Sequence, residues 1–217
     1  MLTQLSNQKI EFFQLNLINW GSNHFVDFPW RYTENHWHAL AAEIMLQRTN
    51  ANQVINVYKE FCEKYPSPED YIDDKAPNTF NSLGLKWREE LLQKLAYFLT
   101  LQEIPKNKKE LIKLPGVGEY IAAAFLSLHL NIIATIIDSN VVRVYGRFFG
   151  FPTDSETRRK KWFIEFANKL TPLDNHRRYN YAVIDFTREI CRPKPQCHRC
   201  LLNKYCSFNF REKRGEK

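Results

Sequence analysis

The sequence contains no run of about 18 apolar residues, so nothing in it reads as a membrane-spanning helix. Its N-terminus, MLTQLSNQKIEFFQ, lacks the basic-then-apolar order of a secretory signal, and a soluble, intracellular, cytoplasmic protein is the expectation. Strand patterns are nearly missing, and no repeat with a period of about 20 to 50 residues appears, which argues against a solenoid. Cysteine is scarce as well, but its placement is uneven. Of five cysteines, Cys191, Cys197, Cys200 and Cys206 fall within the sixteen residues 191–206. In a reducing compartment such a cluster points to a metal centre rather than disulfides, while the isolated Cys62 reads as a small core residue.

What is present describes a helical, basic protein. The 44% hydrophobic content, 14% of the chain being aromatic, supplies a core for one domain or two small lobes over 217 residues. A net charge of +7 suits a partner with a phosphate backbone, although plain basic proteins share that balance. Apolar residues recur at spacings of three and four in EFFQLNLINWG and ENHWHALAAEIMLQ. Breaks at 27–31, 65–70, 81–86, 104–110, 114–120, 149–156 and 171–178 leave about ten helices, a count suited to a two-lobed all-α fold. The closing REKRGEK reads as a frayed, solvated tail.

The segment 108–129 predicts two helices, Lys108–Lys113 and Glu119–His129, joined by Leu114-Pro115-Gly116-Val117-Gly118. Two glycines let backbone N–H groups approach a ligand with no side chain between, and a helix N-terminus favours an anion there. A DNA phosphate and an ordinary αα corner both satisfy this pattern. Lys106, Lys108, Lys109 and Lys113 just upstream favour the phosphate. Downstream, TIIDSNVVRV carries a single acid, Asp138, placed to cap the next helix. A carboxylate held there can also stabilise a cationic sugar or orient a water, and the two roles are compatible.

FPWR at 28–31, EIMLQRTNANQV at 43–54, LPGVGEY at 114–120, IIDSNVVRV at 136–144 and the cysteine cluster together resemble the helix-hairpin-helix DNA glycosylase superfamily over most of the chain. Within it the sequence looks like the branch of MutY and the Mig-type thymine mismatch enzymes. The resemblance implies an all-α, two-lobed fold: a six-helix barrel at 29–137, and an iron-sulfur lobe from 1–28 and 138–217. Double-stranded DNA with a mismatch would be held in the cleft by a monomeric enzyme, and the abasic product would pass to an AP endonuclease. The location implied is cytoplasmic, with the nucleoid in a prokaryote.

The cysteine spacing in CRPKPQCHRCLLNKYC has one C-x2-C pair flanked by single cysteines at x5, whereas zinc ribbons use two close pairs. Four thiolates in one loop suit a 4Fe-4S cluster, and the superfamily resemblance implies one, held by Cys191, Cys197, Cys200 and Cys206. The usual first gap is one residue longer, and zinc stays open as the alternative.

Carried over residue by residue, Gln47 matches the wedge that fills the space left by a flipped nucleotide, with Arg48 beside it. Leu114, Gly116, Val117 and Gly118 match the DNA-contact turn. Glu43, four residues before Gln47 and expected on the same helix face, matches the pocket acid that protonates or hydrogen-bonds the departing base. An acid inside LAAEIML is otherwise costly to bury. Tyr120 stands where bifunctional relatives place a Schiff-base lysine, adenine enzymes a serine and Mig-type enzymes a tyrosine. Tyrosine forms no imine, so monofunctional hydrolysis supported by Asp138 is implied. Tyr181 and Ala51 depart from the adenine-type pattern, and the 11 residues after Cys206 are expected to leave no room for an 8-oxoguanine recognition domain. Thymine or uracil opposite guanine is therefore the expected substrate. An adenine glycosylase, a non-catalytic iron-sulfur DNA-binding module and an abasic lyase are the competing readings.

Overall fold

The structure, a computed structural model, describes residues 7–84 and 87–214, the side chains of 211–214 excepted. Every regular element among these residues is helical. In chain order the α-helices are α1 (Asn7–Asn23), α2 (His36–Leu46), α3 (Ala51–Lys64), α4 (Pro68–Asp73), α5 (Trp87–Leu101), α6 (Lys108–Leu111), α7 (Glu119–Ala124), α8 (Ser139–Phe149), α9 (Lys161–Leu170), α10 (His176–Glu189) and α11 (Ser207–Arg214). The chain divides into two compact units, one of Asp27–Ile132 and one of Met1–Val26 with Ile133–Lys217.

Short polar side chains start many of these helices by accepting from otherwise unpaired amides. Asn35 accepts from Trp37 and His38 at 2.9 and 3.2 Å ahead of α2, and Asn107 from Glu110 at 3.0 Å ahead of α6. Ser67 and Asp70 cap α4 reciprocally. Each such cap contributes about 1 kcal/mol.

In the unit Asp27–Ile132, α2 is buried along most of its length, and its Trp37 meets the rings of Phe61 on α3 and Tyr71 on α4 at 5.4 and 5.8 Å. Glu89 of α5 accepts from the Tyr71 hydroxyl and from the Phe80 amide, tying α4 and the 78–84 turn to α5. Gly84 ends that turn at φ +72°, and residues 85 and 86 of the expected break lie outside the described residues.

The other unit is built around Phe13 of α1, whose ring lies 4.8 Å from Phe148, 5.2 Å from Phe149 and 5.6 Å from Tyr145. These three aromatics share the buried face of α8, which Gly150 ends in the left-handed region at φ +87°. The Tyr145 and Tyr179 hydroxyls bond each other at 3.0 Å, satisfying both inside that core.

Two expectations change here. The tail is not frayed from residue 211, because α11 runs to Arg214. Phe208 packs under the Arg147 guanidinium, 4.8 Å from ring centroid to Cζ, and Asn209 donates to the Asn203 carbonyl at 3.1 Å. Residues 215–217 lie outside the described residues. The second hairpin helix is also not continuous α: after Ala124 the chain opens into a π turn, Phe125–His129, closed by the Leu130 amide on the Phe125 carbonyl at 3.1 Å.

Candidate active site

The 114–118 turn is shaped by one glycine. Gly116 has φ +80°, and a Cβ there would stand 2.9 Å from Leu91. Gly118 has φ −89°, open to any residue, and a Cβ on it would meet nothing within 4 Å. The second glycine thus answers no steric demand of the protein itself, unlike the joint role the sequence suggests for both. Leu114 and Val117 are buried, so their side chains belong to the core, and the Val117 amide is spent on the Leu114 carbonyl at 3.1 Å. What the turn offers outward is backbone around Gly116 and the exposed Gly118.

Several lysines near the turn are already engaged. Lys113 pairs with Glu110 at 2.7 Å and Lys108 with Glu119 at 2.5 Å. In the 158–161 cluster, Arg159 pairs with Glu156, Lys160 with Asp154 and Lys161 with Glu165. Exposed pairs of this kind exchange readily, contributing about 0 to 1 kcal/mol each, so they can open toward a phosphate.

Gln47 is the C-cap of the helix that carries Glu43: its φ of −60° is still helical, so its Cβ keeps its place four residues on from Glu43, and its ψ of 117° turns the chain away only after it. The Gln47 side-chain amide donates to the Gly116 carbonyl at 3.4 Å, joining the α2–α3 loop to the turn. Arg48 comes next at φ +54°, exposed and in the left-handed region that non-glycine residues avoid.

Glu43 is buried on α2, 5% exposed. Its Oε1 lies 3.9 Å from Nε2 of His129, whose side chain is equally enclosed at the end of the π turn. His36 adds a further imidazole, edge-on to Phe125; burial lowers its pKa, and the charges of His129 and Lys106 act in the same direction. His129 escapes the motif reading because its signal, a histidine in the apolar run FLSLHL, resembles a core histidine. Tyr120, half-buried, is the second residue of α7.

Asp138 sits in the other unit and caps α8: Oδ1 accepts from the Val141 amide at 2.7 Å and Oδ2 from Asn140 Nδ2 at 2.7 Å. Asn140 Oδ1 accepts from Arg143 Nη1 at 2.8 Å, and Arg143 donates onward to the carbonyls of Cys191 and Thr187 at 3.0 and 3.1 Å. The carboxylate is therefore fixed in orientation at a helix N-terminus, where negative charge is favoured. Asn140 and Arg143 were legible only as residues of SNVVRV, their role set by a chain that spans 48 positions to Cys191.

The four clustered cysteines are all free, and Arg147 of α8 holds their loop. Its guanidinium donates to the Arg192 and Pro193 carbonyls at 2.6 and 2.9 Å and points at Cys191 Sγ at 3.7 Å, while Cys206 Sγ meets the Arg147 carbonyl at 3.5 Å. Burial pushes the Cys200 thiol up to about 12, with Cys206, Cys191 and Cys197 adding to the rise. Among the described residues no group of three or more His, Cys, Asp or Glu side chains stands ready to hold a single metal ion. The four thiols lie near enough to act on one another's charge, the proximity that a shared metal centre needs.

Residues 41–166 match the family described as HhH-GPD superfamily base excision DNA repair protein. The chain is 34% identical over 213 residues to a thymine/uracil-DNA glycosylase of Methanothermobacter thermautotrophicus, with 94% of this chain and 96% of the relative covered. It is 31% identical to an adenine DNA glycosylase of Buchnera aphidicola, covering 93% of this chain but 60% of that relative. The solved structure of a thermostable thymine-DNA glycosylase superposes with a TM-score of 0.88 at 33% identity, covering 95% of this chain and 99% of that one. With its all-helical fold, its hairpin and its capped Asp138, the chain belongs to the HhH-GPD superfamily of base excision DNA repair proteins.

Proposed function

We propose that the protein is a monofunctional DNA glycosylase that hydrolyses the N-glycosidic bond of thymine or uracil mispaired with guanine. The observation that carries this reading is the Asp138 carboxylate, fixed by Val141 and Asn140 in a chain alike along nearly its whole length to a thymine/uracil-DNA glycosylase. In this reading the turn at Gly116 and Gly118 grips a phosphate, and Gln47 fills the space left by the flipped nucleotide, with Arg48 close by. Glu43 meets the departing base as hydrogen-bond partner or proton donor. Asp138 stabilises the oxocarbenium-like sugar and directs water to its anomeric carbon. Tyr120 occupies the place of a Schiff-base lysine and offers no amine, so the product is an intact abasic site for an AP endonuclease.

Cys191, Cys197, Cys200 and Cys206 would hold a 4Fe-4S cluster with a structural part to play, ordering the 191–206 loop and its basic residues Arg192, Lys194, His198 and Arg199 against DNA. The protein acts as a monomer on duplex DNA. With about five phosphate contacts, its affinity falls with salt at a log-log slope of about −4 to −5.

Time courses on duplexes carrying T:G, U:G, A:G and A:8-oxoguanine pairs test the reading. Excision of thymine and uracil supports it, and excision of adenine alone overturns it. An adenine specificity is the second reading, favoured by the likeness to the Buchnera aphidicola enzyme over 93% of this chain. Borohydride trapping of a covalent adduct would contradict the role of Tyr120.

A further inference from the structure

The apolar stripe of α5 consists of Leu92, Leu95, Ala96 and Leu99, and its first position is taken by an arginine, Arg88, which is 0% exposed. A guanidinium cannot shed its charge to escape burial. Burial lowers its pKa, and the positive charge of Arg48 adds to that; no carboxylate is bonded to it among the described residues. Its bonds go elsewhere. Nη1 donates to the Met45 carbonyl at 3.1 Å and to Thr49 Oγ1 at 3.0 Å, while Nε and Nη2 have no acceptor among the described residues. Thr49 Oγ1 in turn donates to the Gln47 carbonyl at 3.2 Å. Met45 and Thr49 flank the segment Leu46-Gln47-Arg48, so one buried cation grips both sides of it.

That segment needs holding. Arg48 at φ +54° is in a conformation that L-residues avoid and that persists only where the surroundings over-determine it. The backbone bonds from Gln47 to Ile44 and from Thr49 to Leu46 are both 3.3 Å, and the Gln47 side chain reaches Gly116 at 3.4 Å, all at the long end of the hydrogen-bond range. The charge-assisted bonds from Arg88 are the shorter ones.

We propose that Arg88 is the positioning residue of the wedge: through Met45 and Thr49 it locks the α2–α3 loop in the form that presents Gln47 to the DNA stack. The role rests on the reading of Gln47 as the wedge. A rigid wedge matters for a base that must be extruded from a pair, and not for a base that is already unpaired.

The test compares single-turnover excision from a T:G or U:G duplex with excision of uracil from a single strand, for Arg88→Met and for the near-isosteric Thr49→Val. Both variants are expected to slow duplex excision by about ten- to a hundredfold, the loss of one or two charge-assisted bonds, and single-strand excision by less than about threefold. In a Gln47→Ala background either change is expected to cost less than about threefold further on the duplex, because the residue it positions is gone. Equal losses on both substrates, or losses that multiply with that of Gln47→Ala, would show Arg88 to be a packing residue and overturn the proposal. Thr49→Val decides the matter if Arg88→Met unfolds. A Gln47→Ala protein as fast as the native one on duplex removes the wedge reading and this role together. A native protein inactive on both substrates removes the glycosylase reading itself.

Discussion

The two compact units handle buried charge in opposite ways. In the unit that contains Phe13 and α8, the buried carboxylate of Asp185 meets Arg188 at 3.3 Å, and the interior is otherwise a mesh of rings around Phe13. In Asp27–Ile132, Arg88 is buried among neutral acceptors, and Glu43 faces the imidazole of His129 at 3.9 Å. A buried charge without a firm opposite charge lowers stability relative to an apolar side chain of the same size. The difference teaches where stability is given up: in the unit that carries the proposed wedge and base pocket. The ring-built unit holds Asp138 by short bonds at a helix start and gives up little to do so.

The most severe challenge to this contrast is Asp138→Asn. Asparagine caps a helix as well as aspartate, so the unfolding temperature should move little, whereas T:G excision should fall by about a thousandfold with duplex binding retained. A loss confined to stability would place Asp138 among ordinary caps. Glu43→Gln comes next. Excision should fall by about a hundredfold in single-turnover assays, yet thermal stability should hold or rise, since an amide removes the buried negative charge beside His129.

The two glycines of the turn test the contrast at smaller scale. Gly116→Ala forces a Cβ into Leu91 at positive φ and should cost about 1–3 kcal/mol by denaturant titration. Gly118→Ala should cost nothing measurable in stability but weaken duplex binding several-fold in an anisotropy assay, because its methyl would project where a phosphate approaches.

The smallest effect is electrostatic and separates the units by pH. Asp154, in the unit with α8, is held down to about 2, first by Lys160 and then by Thr157; Asp74 in the other unit is lowered by Lys64 and Tyr65. A carboxylate depressed in the folded state adds stability that is fully present above its unfolded pKa near 3.8 and is lost as the pH falls toward the folded value. Both groups lie at the surface, so the acid limb of the unfolding temperature between about pH 4 and 2 should flatten slightly in Asp154→Asn, and less so at high salt.

The helical architecture was legible because apolar spacing and short polar caps act locally: Asn35, Ser67, Asn107 and Asp138 each cap a helix within three residues of themselves. The site was legible to the extent that its parts are contiguous, as in the hairpin turn. Arg88 was not, since an arginine at the head of an apolar stripe reads as a solvated first turn until the loop 39 positions away is seen to accept from it. His129 was hidden for a similar reason. The end of α2 at Gln47 was not legible either, because it is set by the extended ψ of that residue and by the positive φ of Arg48 after it, which no side-chain pattern announces.

The π turn at Phe125–His129 has one more consequence. A π turn is an α-helix that has absorbed a surplus residue, and the chain beyond it is rotated by roughly 100° relative to an uninterrupted helix. Deleting one residue from this stretch would restore the regular α-helical hydrogen-bond pattern. It would also swing the imidazole of residue 129 away from Glu43. The surplus residue therefore sets the side chain of His129 against the buried Glu43 at the cost of helical regularity.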